Sequence, residues 1–143
     1  MSAVANHVHE TTWLQHLTLW TGRILSAGAI LILLMSARWK LTFAPFYVQE
    51  WGRIGWAASA LPRIALIQLA CVALYVTPPT AVLGAVLLTG YLGGAIATYT
   101  RIGEPIPVLV PPTTTALLAW AGLYLREERL RSLLPFRRKA LHN

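Results

Sequence analysis

Between Arg63 and Arg101 the chain reads IALIQLACVALYVTPPTAVLGAVLLTGYLGGAIATYT, 37 residues without a single charge. Only Pro78-Pro79 interrupts the run. Two consecutive pyrrolidine rings remove two backbone donors and oppose continuation of a helix. The stretch therefore predicts a tight helical hairpin, one helix over 64–76 extended backward toward Trp56 and a second over 81–98. Eighteen residues at helical rise reach roughly 27 Å, close to the hydrocarbon thickness of a bilayer.

On the C-terminal side a second uncharged run, residues 105–125, carries Pro107, Pro111 and Pro112 in its first part. Proline is tolerated in a first helical turn, so regular helix is expected to begin near Pro111 or Pro112. On the N-terminal side residues 24–37 are uncharged. Spanning requires a start near Leu17 with Arg23 inside, which an arginine near the boundary permits by snorkelling. Lone strands would leave backbone edges unpaired in lipid, so helices are expected throughout. The fold class predicted is an all-α membrane protein, a four-transmembrane-helix up-down bundle forming one domain over residues 1–143. Its spans are approximately 17–37, 56–76, 81–99 and 108–125, with a basic tail over 126–143.

Two segments read differently. Trp13, Leu14, Leu17 and Trp20 have helical spacing with Gln15 and His16 opposite, which suits an interfacial lead-in. Between the first two spans, Tyr47, Trp51 and Ile54 share one helical face and Gln49, Glu50 and Arg53 lie off it, which predicts a short interfacial helix. Phe43, Phe46 and Trp56 add to an aromatic belt at head-group level.

Composition agrees with a membrane solvent. Hydrophobic residues make up 56% and charged residues 12%, too few charges to cover a soluble domain of this size. The net charge of +7 does not point to nucleic acid, because six of the 12 Lys and Arg residues follow Leu125, just beyond an apolar segment. That placement fits the positive-inside rule and anionic lipid head groups. Cys71 is the only cysteine, so no intramolecular disulfide and no CxxC redox pair can form. Residues 1–22 hold no Lys or Arg, and the first apolar run is read as a retained helix rather than a cleaved leader.

The tail carries Arg126, Arg129, Arg131, Arg137, Arg138 and Lys139 against Glu127 and Glu128. With four crossings this places both termini in the cytoplasm. Arg38, Lys40, Arg53, Arg63 and Arg101 then fall on the opposite side, a weak asymmetry that also admits the inverted orientation.

Two constellations stand out. Gly90 and Gly94 form a GxxxG, with Gly93 and Ala97 one residue over; such spacing lets backbones approach, either between spans of one chain or in a homo-oligomer. Packing within the chain is the favoured reading. Arg101 and Glu104 are spaced to pair on one face, Lys40 and Arg63 fall on the same side, and Gln68, Tyr91, Thr98 and Tyr99 add hydrogen-bonding groups there. Together they could line a polar mouth, with Lys40, Gln68, Tyr99, Arg101 and Glu104 as the candidate ligand contacts and interface anchoring as the alternative. His7, His9, His16 and His142 all lie outside the spans, so neither a haem nor a metal site is expected. No catalytic set is apparent.

The stretch Gly90-Tyr-Leu-Gly-Gly-Ala-Ile-Ala-Thr-Tyr-Thr-Arg-Ile-Gly-Glu-Pro105 resembles the signature of the DoxX-like family of small bacterial membrane proteins. Met35-Ser-Ala-Arg-Trp-Lys-Leu41, Trp51-Gly-Arg-Ile-Gly55 with Pro62, and Leu123-Tyr-Leu-Arg126 extend the likeness over about residues 20–138. The resemblance implies a four-helix membrane bundle associated with quinone-linked or sulfur-linked redox complexes and oxidative-stress systems. Gln68 stands where such proteins often have glutamate and Tyr99 where histidine is frequent, which weakens a proton-coupled role. The expectation is an accessory subunit of a membrane redox system holding a quinone near Lys40, Gln68, Tyr99, Arg101 and Glu104, with membrane or soluble redox proteins as partners. The alternative is a structural subunit that binds partner proteins through small-residue helix faces. A transporter is disfavoured because the midplane offers almost no ionisable residue.

Overall fold

The computed structural model describes residues 2–127 and residue 130. It contains five α-helices and, among the described residues, no strand: α1 (Ser2–Leu41), α2 (Pro45–Arg53), α3 (Leu61–Val76), α4 (Ala81–Arg101) and α5 (Ile106–Arg126). Four helical stretches are long and apolar enough to cross a membrane, His16–Leu41, Ala58–Val76, Pro78–Arg101 and Ile106–Arg126, the second and third each opening in a short 3-10 turn before α3 and α4. The long helices form a ring in which α1 packs on α3 and α5, and α4 packs on the same two. The diagonal pairs meet only through side chains.

The double proline makes the hairpin as expected, and its cost is offset locally. A proline at 78 or 79 leaves the carbonyl four residues earlier without its helical donor. Those two carbonyls are both satisfied. The Thr80 hydroxyl donates to Leu74 O at 2.9 Å, and the Arg126 guanidinium donates to Tyr75 O at 2.9 Å from α5. Neighbouring polar groups that re-satisfy freed backbone are what allows proline at membrane depth.

The C-terminal ends of α1, α2 and α4 share one device. Phe43, Gly55 and Gly103 have positive φ, of 50°, 83° and 72°. In each case the next residue's N–H reaches back to the carbonyl five residues before it: Ala44 to Trp39, Trp56 to Trp51 and Glu104 to Tyr99. These are Schellman closures, which satisfy end carbonyls and turn the chain sharply. A phenylalanine in the left-handed region is strained, unlike the two glycines.

Two boundaries differ from expectation. α5 begins at Ile106, with Pro111 and Pro112 inside it rather than at its start. The Thr113 and Thr115 hydroxyls donate to Leu109 O and Pro111 O at 2.8 Å, supporting the backbone around the prolines. α1 continues as one helix through the lead-in to Leu41, so Arg38 and Lys40 belong to the helix itself.

Close backbone approach occurs at glycines other than those singled out by spacing. A Cβ on Gly122 would lie 2.7 Å from Ser26 N and 2.8 Å from Gly22 O, and one on Gly84 would lie 2.7 Å from the carbonyl carbon of Leu74. A Cβ on Gly90, Gly93 or Gly94 would meet nothing within 4 Å, and Ala97 is exposed. Packing within the chain through Gly90, Gly93, Gly94 and Ala97 is therefore not what the structure has: Gly90, Gly93 and Ala97 face outward, Gly94 borders open space beside the bundle, and the tight seams are α1–α5 and α3–α4. The signal missed was Gly22-x-x-x-Ser26, two small residues one turn apart on the first span.

Candidate functional site

Lys40 occupies the last turn of α1, yet its side chain turns into the bundle and only 5% of the residue is exposed. Its ammonium donates to Ser36 Oγ at 2.6 Å, to Gln68 Oε1 of α3 at 2.8 Å and to the Tyr91 hydroxyl of α4 at 3.0 Å. The Tyr91 hydroxyl in turn donates to Gln68 Oε1 at 2.8 Å, and Gln68 Nε2 donates to Leu33 O at 2.7 Å. Gln68 is wholly buried. The ammonium also lies 5.3 Å and 5.7 Å from the ring centroids of Tyr47 and Tyr91, within cation–π range.

All three ammonium hydrogens thus have neutral acceptors, and among the described residues no carboxylate pairs with Lys40. A cation buried without a counter-ion is costly and projects its field far into a low-dielectric surround. Beside it lies a cavity of about 730 Å³, lined by residues of all four long helices and of α2. Its walls are mostly apolar, aliphatic at Ile64, Leu92 and Val108 and aromatic at Trp39, Trp51 and Trp56, and its polar part centres on Lys40, Gln68 and Tyr91. Ile32 and Ile67 line it while remaining exposed, and both lie within apolar spans, so the cavity communicates with the surface a bilayer covers.

Helix α2 closes one side of this space. Trp51 and Ile54 are buried, and both line the cavity with Tyr47 and Trp56. The helix is tied down by three polar links. The Tyr47 hydroxyl lies 3.0 Å from Ser36 Oγ, Arg53 bridges Glu50 and Glu104, and the Arg101 guanidinium donates to Ile54 O at 3.2 Å. Arg53 grips Glu50 with two bonds of 2.7 and 3.0 Å, and this guanidinium holds the Glu50 carboxyl below the usual carboxylate range. Hydrogen bonds to Glu50 and then Glu104 raise the arginine in return.

Of the five mouth residues expected from sequence, Lys40 and Gln68 touch directly, and Tyr99 lines the same cavity. Arg101 and Glu104 do not line it and do not pair with each other. The helix ends at Arg101 and turns through Gly103, so helical spacing no longer relates the two side chains, and Glu104 is taken by Arg53. Their contribution is to fasten α2. Tyr91, expected on that side from sequence, joins the cluster with Ser36 and Tyr47; Ser36 stands one turn before Lys40, a spacing that could have revealed it.

No match to the chain is found among curated proteins or among solved structures. The model of the DoxX-like family matches residues 24–122, from the first long helix into the last and including every residue of the Lys40 cluster. The chain belongs to the DoxX-like family.

Proposed function

We propose that the protein is a membrane-embedded accessory subunit of a redox or oxidative-stress system, holding a quinone-class ligand in the bundle cavity. The observation that carries this reading is the buried Lys40 ammonium, unpaired with any carboxylate among the described residues, beside a largely apolar cavity open at bilayer depth. A lipid-soluble ring with an apolar tail suits the walls, and an unneutralised cation favours the electron-rich, anionic forms that a quinone takes on reduction. In this reading the chain is one domain, its spans run up and down, and α2 lies in the interface. Both termini face the cytoplasm of a bacterial cell whose inner membrane it occupies.

The test is extraction with native lipid and mass spectrometry of what co-purifies. Wild-type protein should retain a quinone and Lys40→Met should not; recovery without quinone, or equal recovery from both, would sink the reading. Orientation is tested in a Cys71→Ala background with single cysteines in the tails and at Gln49. Labelling of the tails by an impermeant reagent in intact cells would reverse the assignment. A second reading, a structural subunit, is favoured by one observation: Gly90, Gly93 and Ala97 form an outward small-residue face that a partner helix or a second copy could approach closely. Crosslinking from that face in membranes, with no quinone retained, would favour it.

A further inference from the structure

Resting on that proposed function, we infer that Trp51 is the residue that holds the ligand's oxygen, with the Tyr99 hydroxyl as a second contact. The Lys40 ammonium is saturated: each of its three hydrogens already goes to Ser36, Gln68 or Tyr91. It supplies field rather than a free hydrogen. Trp51 is the reverse case. It lines the cavity, is 8% exposed, and its indole N–H has no hydrogen-bond partner among the described residues. Buried donors are rarely left unpaired, so a buried tryptophan of the cavity wall whose N–H has no partner is where we place a ligand atom.

An indole nitrogen donates and never accepts, so the ligand atom facing it is an acceptor. Tyr99 lines the same cavity, and its hydroxyl likewise has no partner among the described residues. The atom facing Trp51 therefore carries a lone pair, as the carbonyl oxygen of a dione does, and is not an ammonium. α2 is fixed firmly enough to place the donor. Trp56 stacks edge-on against Trp51 with centroids 5.6 Å apart, and the Trp51 carbonyl accepts the Trp56 N–H at 2.8 Å in the Schellman turn.

The experiment uses the full chain in detergent and two probes, a decyl-substituted benzoquinone and decylbenzene, which has the tail but no oxygen. Wild type is expected to bind the quinone more tightly than decylbenzene. Trp51→Phe keeps an aromatic ring and should bind the quinone about tenfold more weakly, the worth of one hydrogen bond, with decylbenzene unaffected. Tyr99→Phe should weaken the quinone severalfold. Wild-type affinity in Trp51→Phe overturns the donor assignment while leaving the proposed function standing, provided the wild-type chain binds quinone. Failure of wild type to bind it overturns both. Should Trp51→Phe not fold, nitrogen-15 indole spectra of the wild-type chain decide: quinone saturation should move one indole N–H downfield, and no movement overturns the assignment.

Discussion

Tyr75 on α3 is buried in the bundle and Tyr91 on α4 half-buried, and their surroundings are opposites. The Tyr75 hydroxyl donates to Ala119 O at 2.8 Å and accepts from Ser26 at 2.9 Å, and Arg126 lies 4.8 Å from its ring centroid. Around it Gly22, Gly84 and Gly122 bring backbones together with no room for a Cβ. Tyr91 belongs to a cluster that holds an unpaired cation at the edge of a cavity, beside a glycine, Gly94, whose Cβ position is empty. Between apolar helices in lipid there is no hydrophobic drive to associate, so stability comes from close packing and satisfied hydrogen bonds. The Tyr75 region has both. The Tyr91 region leaves packing space unfilled, and that is where binding can occur.

Substitution should separate the two regions. The largest effect is expected at the tight glycines. Gly122→Leu or Gly84→Leu forces backbone apart at the α1–α5 or α3–α4 seam and should lower stability by about 3 kcal/mol or more, read as loss of thermal stability in detergent. The same change at Gly94 meets open space. Gly94→Leu should keep or raise stability by up to ~1 kcal/mol through helix propensity, while filling the cavity and abolishing ligand retention. Equal destabilisation at positions 94 and 122 would erase the distinction.

Next in size are the hydrogen-bonding groups. Tyr75→Phe strands Ser26 and Ala119 O and should cost about 1–3 kcal/mol. Lys40→Met removes a buried ion and should cost less than that, or stabilise, because desolvation no longer opposes folding. Its effect should fall on ligand retention instead. A Lys40→Met chain less stable than Tyr75→Phe would mean that the cluster is a structural core.

The smallest effects concern the fastening of α2. A double-mutant cycle on Arg53 and Glu104 should be non-additive and one on Arg101 and Glu104 additive, because only the first pair is in contact. The Glu50 carboxyl titrates below its unfolded value, so its contribution is present above the unfolded pKa and lost as pH falls through the folded one. Acidification through that range should speed amide exchange in α2 before it does so in α3. Uniform exchange across both helices would mean that the Arg53 links do not hold α2.

Much of this was legible in the sequence, and the misses are instructive. Charge spacing and Pro78-Pro79 place the hairpin, because both act locally through backbone donors and the cost of charge in lipid. The buried face of α2 is readable from Tyr47, Trp51 and Ile54 at one helical spacing. The start of α5 was not, since whether prolines at 111 and 112 end a helix depends on tertiary support that spacing does not contain. The Arg101–Glu104 pair failed because a positive φ at Gly103 takes Glu104 off the helix. The open GxxxG failed because spacing alone cannot say which face of a ring a helix turns inward.

Lys40 also constrains biogenesis. One of its three acceptors, Ser36, is on its own helix, but Gln68 and Tyr91 are on α3 and α4, which the ribosome delivers later. A lone first segment leaving the translocon has nowhere to bury that ammonium and must hold it at the head-group level. Only the arrival of the hairpin supplies the two missing oxygens. The first segment is therefore expected to sit shallow until α3 and α4 are present to receive its ammonium.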